Sequence, residues 1–413
     1  MEINGYQIPE KTASCIQIED QHGAHNYHPL PVVLNRGLGA FVWDVEDKRY
    51  FDFLSGYSAV NQGHCHPKIL HALTEQAKQL TLTSRAFHSD RMAEYTRYIT
   101  QYFGYDKVLP MNTGVEAVET ALKLARRWGY AVKGVPDGQA KIITVEGNFH
   151  GRTINVISFS TDPTAKAGFG PFMPGYITIP YNDLHALRHT IADEDVVGFL
   201  VEPIQGEAGV YVPDSGYLAA AKALCKEHRV LFIGDEIQTG LSRTGKLLAC
   251  DHENVRPDIL ILGKALSGGV MPISAVLADD EIMLTIAPGE HGSTYGGNPL
   301  ACAVAIASLE VLKEEKLADR AAELGAYFRT ALVGFAHPVI KQVRGKGLLN
   351  AIVIKHTSDN AADILCLELM KNGLLAKPTH GDKIRFAPPL VITKEELEEA
   401  IDIIRKSLVV LDT

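Results

Sequence analysis

Two stretches decide the fold: VLFIGDEIQTG at residues 230–240 and DILILGKALSGG at residues 258–269. Each holds an unbroken apolar run, 230–233 and 259–262, then reaches a glycine and a charged residue, Asp235 in the first and Lys264 in the second. Apolar residues that do not alternate with polar ones predict strands covered on both faces, the mark of a parallel sheet between helices. Further strand-like runs lie at 107–111, 141–145, 196–201 and 273–278. Amphipathic helical periods fall between several of them, at 115–129 and 216–228. The expected fold is therefore α/β, with a mostly parallel sheet.

Residues 1–55 are turn-rich and contain two hairpin-like strands, 40–44 and 49–53. After Asn298-Pro299 the pattern is helical to about residue 333, and a mixed α/β tail ends in a helix near 394–408. A length of 413 residues exceeds the usual single domain. A boundary is expected near residue 315.

Forty basic against 49 acidic residues leave a net charge of −9, the wrong sign for wrapping nucleic acid, although a local basic pocket would suit a small anion. No apolar run approaches the roughly 20 residues that span a bilayer. The six cysteines are scattered without a CxxC pair, which argues against a zinc site or disulfide scaffold. His64-Cys65-His66 has no neighbouring carboxylate and is not read as a metal site. The first residues carry no apolar core and no arginine, so a cytoplasmic protein with reduced thiols is expected.

Ligands of open α/β sheets bind beyond the carboxyl ends of the strands. The residues there are Asn112-Thr113-Gly114, Asn148 to Arg152, Glu202, Gln205, Glu207, Asp235, Glu236, Gln238 and Lys264. Lys264 lies between small and apolar residues, where desolvation lowers an amine's pKa, the setting of a Schiff-base lysine. It does not belong to a phosphate loop, because Asp258 stands where the first glycine would be. Asp235 is either a turn residue or a buried carboxylate that needs a partner such as a pyridinium N–H. Thr113-Gly114-Val115 opens a helix whose free N–H groups favour a phosphate.

An aspartate at one strand end and a lysine 29 residues later in an apolar-flanked Gly-Lys resemble the class III pyridoxal-phosphate aminotransferases. The segments GAHNYHPLPVVL, SGYSAVNQGHCHP, MNTGVEA, VEPIQGEAGV, DEIQTGLSRTG, GKALSGG, GEHGSTYGGNPLA, VRGKGLLNAI and GLLAKPTHGDKIRFAPPL extend the likeness from about residue 23 to 393, with the ornithine-using branch as its nearest match. The resemblance implies a fold-type I architecture with a seven-stranded sheet in a large domain, 58–315. The small domain would combine residues 1–57 and 316–413. It also implies a homodimer, or an assembly of such dimers, with shared active sites.

Carried over residue by residue, Lys264 is the attachment point of pyridoxal 5'-phosphate and Asp235 the partner of its ring nitrogen. Phe149 stacks on the ring, Gln238 lies near its phenolic oxygen, Gly114 and Val115 meet the phosphate, and Thr294 reaches it from the neighbouring subunit. Tyr27 and Tyr57 contact the α-amino end of ornithine and Arg152 its carboxylate. Glu207 pairs with Arg385 until a dicarboxylate, 2-oxoglutarate or glutamate, claims the arginine. His150 stands where animal members carry a bulkier aromatic. The rival donors within the class are N-acetylornithine, 4-aminobutyrate and lysine.

Overall fold

The computed structural model of the chain describes residues 2–3, 6–356 and 358–412. Met1, Asn4, Gly5, Thr357 and Thr413, which fall within the expected small domain, lie outside the described residues. Its centre is a seven-stranded sheet built from β1 (Lys107–Met111), β2 (Lys141–Val145), β3 (Tyr176–Ile179), β4 (Val196–Val201), β5 (Leu231–Asp235), β6 (Ile259–Leu262) and β7 (Ser274–Ala278). Their spatial order is β1-β7-β6-β5-β4-β2-β3. All pairs are parallel except those of β7, which runs against both β6 and β1. The reason is the connection. Only residues 263–273 join β6 to β7, too few for the helical crossover that a parallel return requires.

β3 is the strand that the sequence pattern does not show. It holds the sheet's edge, pairs only with β2, and includes the exposed Thr178, so it lacks the continuous apolar run of the buried strands. β5 lies one residue later at both ends than the expected strand 230–234, so Asp235 is its last residue, in register with Ile261 of β6.

Side chains alternate across the sheet, and each face has its own cover. Leu231, Ile233, Ile259 and Ile261 pack against helix α1 (Gly114–Trp128), whose Val118, Ala121, Leu122, Ala125 and Trp128 are all buried. Phe232 and Phe199 point the other way, against α2 (Tyr217–Glu227). Leu260, Leu262 and Leu277 meet α3 (Pro299–Glu314) and the elements that follow it. α3 and the next helix, Leu317–Gly334, are separated at Glu315-Lys316, where Lys316 takes a left-handed φ of 52°. No helix among the described residues is long and apolar enough to cross a membrane.

Two four-stranded sheets lie outside the central one. Antiparallel strands Leu34–Leu38, Phe41–Asp44 and Arg49–Asp52 are joined by Leu374-Leu375, which runs parallel to Arg49–Asp52. The other sheet contains Ile340–Lys346, Leu349–Ile354, Lys383–Phe386 and Lys377–Thr379. Early and late parts of the chain therefore share one sheet.

Arg243 holds these parts together. It is fully buried, and its Nε donates to Asn61 Oδ1 at 3.1 Å. Its Nη1 donates to Leu348 O at 3.0 Å and to Pro388 O at 2.6 Å. The acceptors are neutral, and burial lowers its pKa to about 9 against the opposing charge of Asp52. Arg243→Ala would strand several buried acceptors at about 1–3 kcal/mol each. Chemical denaturation is expected to show a loss of at least about 3 kcal/mol, with Arg243→Lys intermediate. A midpoint within experimental error of the parent would refute this role.

Candidate active site

The sheet brings the charged residues of several strand ends to one rim, and Lys264 lies at its centre. It follows β6 after Gly263, opens a short 3₁₀ turn over Lys264–Ser267, and takes a left-handed φ of 43°. Burial, then the positive charge of Arg385, lower its pKa to about 8 against the pull of Glu207, Asp235 and Glu202. Near neutral pH a usable share of the amine is therefore free of its proton.

Asp235 is 4% exposed. Its Oδ1 accepts the Ile237 N–H at 3.1 Å and its Oδ2 accepts from His150 Nδ1 at 2.6 Å. His150 is buried, and its other ring nitrogen, Nε2, has no partner. Burial opposes its charge, but the hydrogen bond and charge of Asp235, then Glu202, outweigh it and raise the His150 pKa. Since Asp235 is held as an acceptor, Nδ1 carries the proton between them. Glu202, at the end of β4, is buried beside this pair. Burial moves its pKa up to about 7, partly countered by His150, and it accepts the Phe149 N–H at 2.8 Å.

Helix α1 starts in a capping box in which Thr113 and Glu116 satisfy each other's backbone N–H groups. The N–H groups of Gly114 and Val115 remain at the helix end without helical acceptors, at the positive end of the dipole. Gly151 closes tightly on this point: its φ is +126°, and a Cβ there would come within 2.4 Å of Val115 Cγ2.

The outer wall carries the opposite ends of the chain. Arg385 is 3% exposed, and its Nη1 donates to Glu207 Oε2 at 3.0 Å and to Gly206 O at 3.1 Å. Its Nε has no partner. The guanidinium lies 4.9 Å from the Tyr57 ring centroid. Gln238 Nε2 donates to Tyr57 O at 3.3 Å, and its amide lies so close to Gly206 that a Cβ there would have to displace it. Arg152 sits between aromatic rings, 5.7 Å from Tyr27 and 5.8 Å from Phe149. Burial, then Glu207, raises the Tyr57 pKa and keeps its phenol protonated. Thr294 is exposed on a loop whose Ser293 accepts from Asn112 at 2.7 Å, and it bonds to none of the other named residues within this chain.

The backbone that presents Tyr57 is unusual. Ser55, Gly56, Tyr57 and Ser58 have φ values of 52°, 54°, 59° and 73°, all left-handed. The Ala59 N–H bonds to Ser55 O at 2.8 Å, which closes one turn of left-handed helix. Residues other than glycine take this conformation at a cost of roughly 1–2 kcal/mol each, and normally singly.

The residues fit pyridoxal phosphate. A buried carboxylate with spare lone pairs suits a ring N–H, unpaired N–H groups at a tight helix start suit a phosphate, and Phe149, 36% exposed beside Arg152, offers an aromatic face. Lys264, with its lowered pKa, suits an aldehyde.

A family model described as Aminotransferase class-III matches residues 22–408, and the chain belongs to that family. Pyridoxal phosphate is the family's cofactor. Rat mitochondrial ornithine aminotransferase is 63% identical over 97% of this chain and 92% of its own length. The ornithine aminotransferase of Schizosaccharomyces pombe is 57% identical over 95% of this chain and 92% of its own. Among solved structures, the ornithine aminotransferase of Toxoplasma gondii superposes with a TM-score of 0.95 at 50% identity, covering 97% of this chain and 96% of that one. Acetylornithine aminotransferase from Elizabethkingia anophelis gives 0.89 at 56% identity, covering 96% and 99%.

Sequence reasoning left His150 and Glu202 without roles. The hydrogen bond that gives His150 its place spans 85 positions, and only its sequence position beside Phe149 hinted at it. His150→Phe keeps a ring in the pocket and removes the donor to Asp235. A lost hydrogen bond to a charged group, about 1.5–3 kcal/mol, predicts at least tenfold weaker cofactor binding by equilibrium titration. The visible absorption of the bound cofactor is expected to shift with it. Unchanged affinity and spectrum would show that Asp235 needs no support from His150.

Proposed function

We propose that the protein transfers the δ-amino group of L-ornithine to 2-oxoglutarate, giving glutamate-5-semialdehyde, which cyclises to pyrroline-5-carboxylate, and glutamate. The observation that carries this reading is the Glu207–Arg385 pair, 3.0 Å apart and electrostatically coupled to Lys264. Ornithine has to react at its δ-amine, whereas glutamate has to react at its α-amine. A bare Arg385 would capture the α-carboxylate of ornithine and present the wrong nitrogen. Glu207 masks it in the first half-reaction. In the second, a dicarboxylate competes for the guanidinium, which binds carboxylates through a planar fork.

The remaining roles follow from position. Pyridoxal phosphate, when bound, supplies an electron-withdrawing ring that accepts the electron pair left on the substrate carbon when its proton departs. Lys264 Nζ would hold the cofactor and, as a free amine, move the substrate proton away and return it. Asp235 would keep the ring nitrogen's N–H in place, and Gln238 would lie near the phenolic oxygen. Phe149 covers one ring face, and Gly114 and Val115 receive the phosphate. Tyr27 and Tyr57 accept the α-ammonium, and Arg152 takes the α-carboxylate of ornithine.

The similarity to an acetylornithine aminotransferase makes N-acetylornithine the rival donor. Two phenols at the distal end favour a free α-amino group, because an acetylated nitrogen has lost its charge and two of its donors. We further propose a homodimer in which Thr294 completes the partner's phosphate site. The exposure of Thr294 and of Tyr295, 54% exposed, supports this. The large domain would span 58–315 and the small domain 1–57 with 316–413. The cysteines are all unpaired, consistent with a reducing, cytoplasmic setting.

A donor panel with 2-oxoglutarate tests the assignment. Ornithine is expected to give pyrroline-5-carboxylate with kcat/KM at least about a hundredfold above N-acetylornithine and 4-aminobutyrate, since unpaired polar groups penalise the wrong donor. Lys264→Ala is expected to lose multiple turnover while remaining folded. Preference for N-acetylornithine would overturn the reading.

Glu207→Ala unmasks Arg385. Single-turnover spectra are expected to show the glutamate half-reaction gaining at least about tenfold on the ornithine half-reaction, the scale of one charge-assisted contact. Equal slowing of both would reduce Glu207 to a structural support.

A further inference from the structure

The left-handed turn at Ser55–Ser58 needs an external hold, because nothing in its own sequence except Gly56 favours the conformation. Strained backbone persists where its surroundings over-determine it. Here the surroundings are specific. Asp52 Oδ1 accepts the N–H groups of Leu54 at 2.9 Å and Ser55 at 2.8 Å, fixing the entry to the turn. Ser55 Oγ donates to Ala387 O at 2.6 Å, two residues from Arg385. The other carboxylate oxygen, Asp52 Oδ2, bonds to His64 Nε2 at 2.7 Å.

His64 is itself fixed in three ways. Its N–H and C=O form a bridge with Gly39, at 2.9 and 3.0 Å. Its ring lies on Gly37, where a Cβ would meet it at 2.9 Å. The chain of contacts therefore runs from the first outer strand through His64 and Asp52 to the turn. It ends at Tyr57, whose ring lies against Arg385.

We infer that the Asp52–His64 pair is a specificity-determining positioning element: it holds the left-handed turn that sets where the Tyr57 phenol stands, and so which amine donor the site accepts. Their side-chain hydrogen bonds run to Leu54, Ser55 and each other, and none to Tyr57, Arg152 or Arg385. The inference rests on the reading that Tyr57 contacts the α-amino group.

The test compares His64→Ala, His64→Phe and His64→Gln in the holoenzyme, with Tyr57→Ile as reference. Phenylalanine keeps a ring on Gly37 and cannot donate to Asp52, so it stands in should the alanine variant fail to fold. Glutamine retains an N–H donor. The readout is the ratio of kcat/KM for ornithine over 4-aminobutyrate, resolved into kcat and KM and taken at matched thermal stability and cofactor content. Tyr57→Ile is expected to move this ratio toward 4-aminobutyrate. His64→Ala and His64→Phe are expected to move it the same way by about tenfold, within the range for a side chain displaced by an ångström, and mainly through the KM for ornithine. His64→Gln is expected to restore most of it. If Tyr57→Ile shifts the ratio and the folded His64 variants do not, the positioning role is wrong and the Tyr57 reading stands. If Tyr57→Ile leaves the ratio unchanged, the Tyr57 reading fails and the inference with it. A His64→Phe loss that glutamine does not restore would also overturn it.

Discussion

The cleft depends on charge held out of water. Asp235, Glu202 and Arg385 are each less than a tenth exposed, and an isolated charge in such surroundings is strongly disfavoured. Each is tolerated because others lie close: His150 against Asp235, the Phe149 N–H on Glu202, Glu207 against Arg385. Lys264 is the exception. Burial and the positive charge of Arg385 lower its pKa to about 8, which favours the neutral, reactive amine. The sheet makes the arrangement possible, because strands β4, β5 and β6 run the same way and end on the same rim.

How far the sequence can be read depends on how local the physics is. Runs such as Val196–Val201 and Ile259–Leu262 announce buried strands because both faces must be apolar, and the structure places strands at both. β3 is silent because an edge strand with one wet side need not show such a run. In the site, Lys264 and Asp235 stand out because each ends such a run, so local context alone marks them. Glu207 and Arg385 are 178 positions apart, and only the family resemblance joins them. Asp52 and His64 are closer in sequence, yet their meeting depends on how a hairpin folds back, which periodicity does not encode.

Strain and satisfaction are unevenly distributed. The core of the central sheet is apolar and regular, and left-handed non-glycine residues are scattered along the chain from Asp47 to His380. The Ser55–Ser58 turn differs in gathering three of them, with Gly56, into one consecutive run, and holding such a run draws on the stability the scaffold supplies.

The insertion of β7 between β1 and β6 also bears on how the chain is made. β1 ends at Met111, but the residue it pairs with, Ser274, emerges from the ribosome more than 160 positions later. At about 5–20 residues per second, β1 waits on the order of ten to thirty seconds for its only sheet neighbour. During that interval its unpaired edge is open to wrong partners, which makes this strand the expected site of chaperone dependence and of aggregation when synthesis is interrupted.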